Sequence, residues 1–161
     1  MQLSSVNAIK CADVNNDGKV DIIAGGNLSC FLPQFERLDA SYGDVLINDG
    51  KMHFSVQELP WEAQLTQYRD AIVVNANNDD LPDILVVGNY YDNNIQMGRY
   101  DADFGTILVN KGHGNFSCEN INQLAVKGQV RHIRKIMLEK NKEAFILARN
   151  NDSVMVIRNK F

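Results

Sequence analysis

The feature that most constrains this chain is an internal repeat. Shifted by 62 residues, the sequence falls on itself almost without a gap: Asn15 meets Asn77, Asp17 meets Asp79, Asp21 meets Asp83, Ile22 meets Ile84, Gly26 meets Gly88 and Asn27 meets Asn89. The same shift carries Arg37 to Arg99, Asp39 to Asp101, Ala40 to Ala102, Gly43 to Gly105 and Leu46 to Leu108, then Asn48 to Asn110, Gly50 to Gly112, Phe54 to Phe116 and Ser55 to Ser117. One register held over so many polar and glycine positions marks a duplicated structural unit. Units of this length stack because none can bury its apolar face alone. A third copy opens in register, with Arg131 matching Arg69 and Ile146-Leu147-Ala148 matching Ile22-Ile23-Ala24 at twice the shift. The units are read as 7–68, 69–130 and a partial third, 131–161.

Inside each unit the apolar runs are short and rich in β-branched residues. Val20 to Ala24 and Asp83 to Val87 end in glycines, and Val45-Leu46-Ile47 and Ile107-Leu108-Val109 each end at an asparagine and a glycine turn. Strands of about five residues between Gly/Asn/Asp clusters predict an all-β, antiparallel fold. Glu62 to Tyr68 predicts one short helical turn, and no segment sustains a helical period. A unit of about four strands is a long propeller blade, extended by the loops Leu28 to Tyr42 and Tyr90 to Phe104. The expected architecture is a partial β-propeller of two four-stranded blades and part of a third.

The sharpest motif is Asp13-Val14-Asn15-Asn16-Asp17-Gly18-Lys19-Val20-Asp21. Side-chain oxygens stand at positions 1, 3, 5 and 9, glycine at 6 permits the sharp turn, and Lys19 at 7 offers its backbone carbonyl. Calcium takes about 6–8 oxygen ligands, and alternating Asp/Asn on a tight loop brings such oxygens to one point. In an EF-hand position 12 would be acidic and a helix would follow; here position 12 is Ala24, and Val86 in the second copy, both inside strand-like runs. The alternative is an Asx-rich β-turn without metal. The second loop, Asn75-Ala76-Asn77-Asn78-Asp79-Asp80-Leu81-Pro82-Asp83, lacks the first aspartate and the glycine. Its candidate ligands are Asn75, Asn77, Asp79, the Leu81 carbonyl and Asp83, with two formal charges against three, so weaker binding is expected. In the third copy the equivalents are Met137, Glu139, Asn141 and Phe145, and the ligands are gone.

Together, Asp13-x-Asn15-x-Asp17-Gly18-x-x-Asp21-Ile22, a glycine-rich strand end, Val45-Leu46-Ile47-Asn48-x-Gly50 and Phe54 resemble the FG-GAP/VCBS repeat of integrin-α-type propellers, bacterial type, over essentially the whole chain. Gly98-Arg99-Tyr100-Asp101-Ala102 resembles the second long loop of that family. The resemblance implies calcium on Asp13, Asn15, Asp17 and Asp21, and a protein working outside the cytoplasm in adhesion or binding.

The rest of the chain narrows function by exclusion. A net charge of −4 without a basic run points away from nucleic acid. No window reaches the ~18 apolar residues of a membrane span, and the first residues lack the pattern of a signal peptide. Cys11, Cys30 and Cys118 show no metal spacing, and Cys11, in an apolar run, reads as a buried small hydrophobe. Arg37/Asp39 and Arg99/Asp101 read as braces of the long loops. Tyr90, Tyr91 and Tyr100 offer either half-buried packing or a carbohydrate-stacking surface. Trp61 reads as a packing anchor between units, and His113 as a solvated turn residue. No nucleophile–base motif is present, so no catalytic residue is named. The expected function is a calcium-stabilised binding or structural module that needs further blades or self-association, with an unidentified protein or glycan ligand. The alternatives are a lectin-like propeller and a non-catalytic domain of a larger hydrolase or lyase.

Overall fold

In the computed structural model, residues 6–26, 43–65, 67–93, 95–119, 124–138 and 142–158 are described. The fold is all-β, with three antiparallel sheets of four, four and three strands. The first sheet is β1 (Ala8–Ala12), β2 (Asp21–Gly25), β3 (Asp44–Asn48) and β4 (Phe54–Glu58). The second is β5 (Asp70–Val74), β6 (Asp83–Val87), β7 (Thr106–Asn110) and β8 (Phe116–Glu119). The third is β9 (Val130–Leu138), β10 (Lys142–Arg149) and β11 (Met155–Arg158). Strands run in sequence order across each four-stranded sheet. A 3-10 turn, Trp61–Leu65, joins the first sheet to the second. No helix among the described residues is long and apolar enough to cross a membrane.

The 62-residue shift reappears as hydrogen-bond register. Ala8 pairs with Gly25 as Asp70 pairs with Val87, Ile22 with Leu46 as Ile84 with Leu108, and Val45 with Gln57 as Ile107 with Glu119. Register fixes which face each side chain takes, since neighbours along a strand point to opposite sides. In the first sheet Ala8, Ile23, Val45 and Leu59 therefore share the face turned to the second sheet, which answers with Ala71, Ile84, Val86 and Leu108. The opposite face of the second sheet, with Leu85, Val87, Ile107 and Val109, packs on Ile133, Phe145 and Leu147 of the third. The second sheet is thus covered on both sides, and all five residues of β6 are buried.

Neighbouring sheets meet most closely along their first strands, β1 against β5 and β5 against β9. One carboxylate ties these strands together. Asp70 accepts the Lys10 ammonium from β1 at 2.8 Å and the Arg134 guanidinium from β9 at 2.6 Å, with the Ala71 and Ile133 amides at 2.9 and 3.1 Å. Burial pushes its pKa up, but Lys10, the two amides and Arg134 together outweigh burial and hold the carboxyl below the usual range. A second lock joins the long loop of repeat two to the third sheet. Asp92 accepts Arg131 at 2.7 Å and Gln129 at 3.2 Å.

Where the first two sheets meet, at the ends of β2 and β3, Tyr68 lies 3 % exposed on two glycines. A methyl group at Gly25 would stand 2.1 Å from Cδ2 of Tyr68, and one at Gly43 would stand 3.1 Å from its Cε2. The glycines open the space that the ring fills. The Tyr68 hydroxyl has no hydrogen-bond partner among the described residues. Trp61, expected as the packing anchor, is instead 66 % exposed, because the 3-10 turn buries Ala63 and directs its first residue to solvent. Cys11, expected to be buried, is exposed. It stands on the face of the first sheet turned away from the second, which no other described sheet covers.

The loop Leu28 to Tyr42, with Arg37, Asp39 and Cys30, lies outside the described residues, as do Glu139 and Asn141. In the second long loop the Arg99 guanidinium lies over the ring of Tyr91, 5.1 Å from its centroid, and Asp101 is exposed. The Tyr90 and Tyr100 backbones pair, and the Tyr90 ring is buried beneath Arg69 at 4.7 Å. The three tyrosines therefore do not form one exposed stacking surface. His113 sits exposed in a left-handed turn conformation, φ 56°.

Two substitutions test this packing. Gly25→Ala is expected to lower stability by about 1–3 kcal/mol through overpacking against Tyr68, whereas Tyr68→Phe, which removes an unpartnered buried hydroxyl, is expected to be neutral or mildly stabilising in thermal melts. Asp70→Asn is expected to cost about 2–4 kcal/mol at neutral pH, because it leaves two cations without their anion. A depressed carboxylate pKa contributes stability above the unfolded value near 3.8, and that stability is lost as pH falls through the lower folded value. Melts from pH 5 down to about 2 should therefore show a steeper acid loss for the parent than for the Asn variant.

Candidate cation loops

Both acidic loops arch from the end of one first strand to the start of the next strand, and both are built on the same bracket. Asp21 is fully buried; its Oδ2 accepts the Val14 amide at 3.0 Å and its Oδ1 the Asn48 amide at 2.8 Å. Asp83, also fully buried, accepts Ala76 at 2.7 Å and Asn110 at 2.8 Å in the same way. Each carboxylate thereby fixes where its loop begins and where β3 or β7 ends.

Above the bracket the loops fold through Asx turns. In the first, Asn15 Oδ1 accepts the Asp17 amide at 3.1 Å and Asp17 Oδ1 accepts the Lys19 amide at 2.9 Å. In the second, Asn77 accepts Asp79 at 3.1 Å and Asp79 accepts Leu81 at 2.8 Å. Asn16 and Asn78 both take φ 58°, which asparagine tolerates better than most side chains. Gly18, at φ 81°, meets the left-handed geometry expected of position 6.

The loops differ at position 1. Asp13 Oδ1 and Oδ2 accept the Asp17 and Gly18 amides at 3.0 and 2.8 Å, drawing a carboxylate into the arch. Asn75 instead donates its amide to the Asp79 carbonyl at 2.5 Å, so an N–H group faces where the first loop presents an oxygen. Among its described residues the third repeat has no such bracket. In the strand register Ala144, 0 % exposed, takes the position of Asp21 and Asp83, pairing with Ile136 as Asp21 pairs with Ala12 and Asp83 with Val74. Phe145, which the residue count sets there, is moved by a one-residue shift onto the face toward the second sheet, and β9 and β10 stay paired as far as Leu138 and Lys142.

The residues of the first loop fit calcium in kind: hard oxygen donors, three formal negative charges and a glycine at the turn. Asp17 is exposed, and the Lys19 amide, together with its ammonium and Asn15, holds the carboxyl below the usual range, outweighing a small burial effect. It is ionised at neutral pH. The Lys19 ammonium reaches Asp17 Oδ2 at 3.2 Å, a cation already on the carboxylate that an incoming metal would displace. Among the described residues no three His, Cys, Asp or Glu side chains are gathered as a ready metal cluster. Asp21 differs from the other candidate ligands in burial: both it and Asp13 hold two amides, but Asp21 is fully buried under the loop while Asp13 is only half-buried. Sequence spacing alone does not distinguish that bracket from a ligand.

The two loops also touch. Asn16 donates to the Asp80 carbonyl at 3.1 Å, and buried Asn110 donates to the Val14 carbonyl at 2.7 Å and to Pro82 at 3.1 Å. A cleft of about 730 Å³ opens between them and the third sheet, lined by Asp13, Asn16, Asn78, Asp79, Asp80 and Phe145 among others. Lys135 and Glu143, at its far wall, form an ion pair. Nothing in the sequence motif announces the Asn110–Val14 bond, although the repeat position of Asn48 and Asn110 does mark both as special.

No family model matches the chain, and no curated protein matches it.

The bracket is testable apart from any metal. Asp21→Ala in EDTA is expected to lose about 2–4 kcal/mol of unfolding free energy, because two buried amides lose a charged acceptor. Asp17→Ala in EDTA, at an exposed site, is expected to change stability by no more than ~1 kcal/mol in the same denaturant titration.

Proposed function

We propose that the chain is a calcium-stabilised segment of a β-propeller of the FG-GAP/VCBS type, a binding or structural module that presents loops rather than catalysing a reaction. The observation that carries this reading is the duplicated arch: two Asp/Asn loops folded alike on the same buried aspartate bracket, at the same place in consecutive four-stranded sheets. Stacking of the sheets along their first strands supports the propeller part, since blades pack around an axis on their innermost strands.

In this reading Asp13, Asn15 and Asp17, with the Lys19 carbonyl, hold the ion in the first loop, and Asp21 positions the arch and lends any oxygen lone pair still open to the loop. The second loop, through Asn77, Asp79, Asp83 and the Leu81 carbonyl, binds more weakly, because Asn75 brings no charge and turns its amide inward. Calcium would neutralise Asp13 and Asp17 and replace the Lys19 ammonium, stiffening the loop end of the sheets. The ligand of the presented loops is a protein or glycan, and the place of work is outside the cytoplasm, both resting on the family resemblance.

Thermal unfolding across a calcium titration, with EDTA as the reference, tests the reading. A ligand of the folded state at ~100 times its Kd adds about 2.7 kcal/mol, which is a rise of roughly 5–10 °C for a domain of this size. Asp17→Ala should lose most of that rise, and Asp79→Ala only a small part. A midpoint that ignores calcium in the parent protein would reduce both loops to metal-free Asx turns.

A further inference from the structure

The first sheet carries an outward face whose repeat equivalent is buried elsewhere in the same molecule. Strand parity places Ile9, Cys11, Ile22, Ala24, Asp44, Leu46, Val56 and Glu58 on that face. Their counterparts in the second sheet include Ala71, Ile84, Val86 and Leu108, each at most 2 % exposed beneath the first sheet. In the first sheet Ile9 is 60 % and Val56 61 % exposed, and Ile22, Ala24 and Leu46 are half-buried. The molecule thus shows what covers such a face: the opposite-type face of a neighbouring sheet.

The third sheet has a face of that opposite type turned outward. Ile133 and its neighbours Phe145 and Leu147 point to the second sheet, so alternation turns Ile136, Ile146 and Val156 the other way, with Ala144, of the same parity, fully buried between them. Val156 is 50 % exposed. The charged residues on the two outward faces are opposite in sign. The third sheet carries Lys142, Arg158 and Arg134, the last bent back to Asp70, and no acid. The first sheet carries Asp44 and Glu58, and no base. Those two carboxylates stand directly opposite each other across β3 and β4, an arrangement that a strand pair alone disfavours. Burial and Glu58 push the Asp44 carboxyl up.

We propose that two copies of this chain associate head to tail, the outward face of the third sheet of each seated on the outward face of the first sheet of the other, which brings six sheets into one closed ring. A heterologous contact closes only if its rotation allows, and six sheets fall within the about four to eight blades of known propellers. The inference rests on the propeller reading and not on calcium.

Sedimentation velocity over a concentration series, in EDTA and again with calcium, reads the outcome directly. A dimer of the 18.1 kDa chain is expected. Val56→Lys on the first sheet and Val156→Glu on the third each set a charge against like charge and should each raise the dimer dissociation constant at least ~10-fold, with the far-UV spectrum and unfolding midpoint unchanged. An equimolar mixture of the two variants should recover part of the dimer, because one of its two junctions is intact. A parent protein that stays monomeric in both buffers overturns the proposal and assigns the face to another repeat or another protein. So does either variant dimerising as the parent does, or a mixture that recovers nothing. None of these outcomes touches the calcium dependence of the melting midpoint, so the two readings fail separately.

Discussion

A carboxylate with no access to water must be satisfied by the protein or it destabilises the fold by several kcal/mol. Asp21 and Asp83 are both fully buried, and each is satisfied by one amide from the start of its loop and one from the end of the third strand of its sheet. That pair of bonds dictates the local architecture. The loop has to return over the carboxylate, so it arches, and its Asx turns become the shortest way for the remaining amides to find acceptors. The third repeat supplies the counter-case within one chain: Ala144 stands at the same register position with no carboxylate to call in amides, and β9 and β10 stay paired as far as Leu138 and Lys142.

The two ends of the sheets are specialised by opposite means. At the arch end, polar side chains substitute for backbone pairing, and Asn110 carries the bonding across to the Val14 carbonyl of the neighbouring loop. At the other end, space is made by glycine and filled by Tyr68, whose ring leaves no room for a side chain at Gly25. Between them runs the row of first strands, where Asp70 holds Lys10 on one side and Arg134 on the other. The first end depends on hydrogen-bond geometry, the second on volume and the middle on charge, so a change at one end propagates to the other only through the shared strands.

The period made much of this legible. Matching at 62 residues located the strands, the turns and both loops, because polar loop residues and glycines are constrained one by one, and their coincidence is specific. What escaped was what the copies do not share. Under the same shift Lys10 falls on Ile72 and Ala8 on Asp70, so the charge lock between sheets looks like noise in a repeat comparison. The apolar neighbourhood of Cys11 does not reveal strand parity, and parity puts it on the face that no other described sheet covers. Trp61 was misread because composition suggests burial while the 3-10 turn decides direction. Asp21 was read as a candidate ligand, and spacing could not separate that role from the buried bracket that the structure shows.

Differences between copies also explain how near-identical sheets stack in one order. Apolar faces of Ile, Val and Leu are interchangeable partners, and packing alone would tolerate more than one arrangement. Polar locks remove that freedom. Asp70 accepts cations from both flanking sheets, so the second sheet belongs in the middle; placed at either end it would leave a buried carboxylate with one partner missing. Arg69 reaches back to Asn7 of the first repeat, whereas Arg131, its equivalent, reaches Asp92 of the second. The same basic position thus reads a different acceptor at each junction. Hydrophobic burial drives the sheets together, and these few unequal polar residues decide which sheet sits beside which.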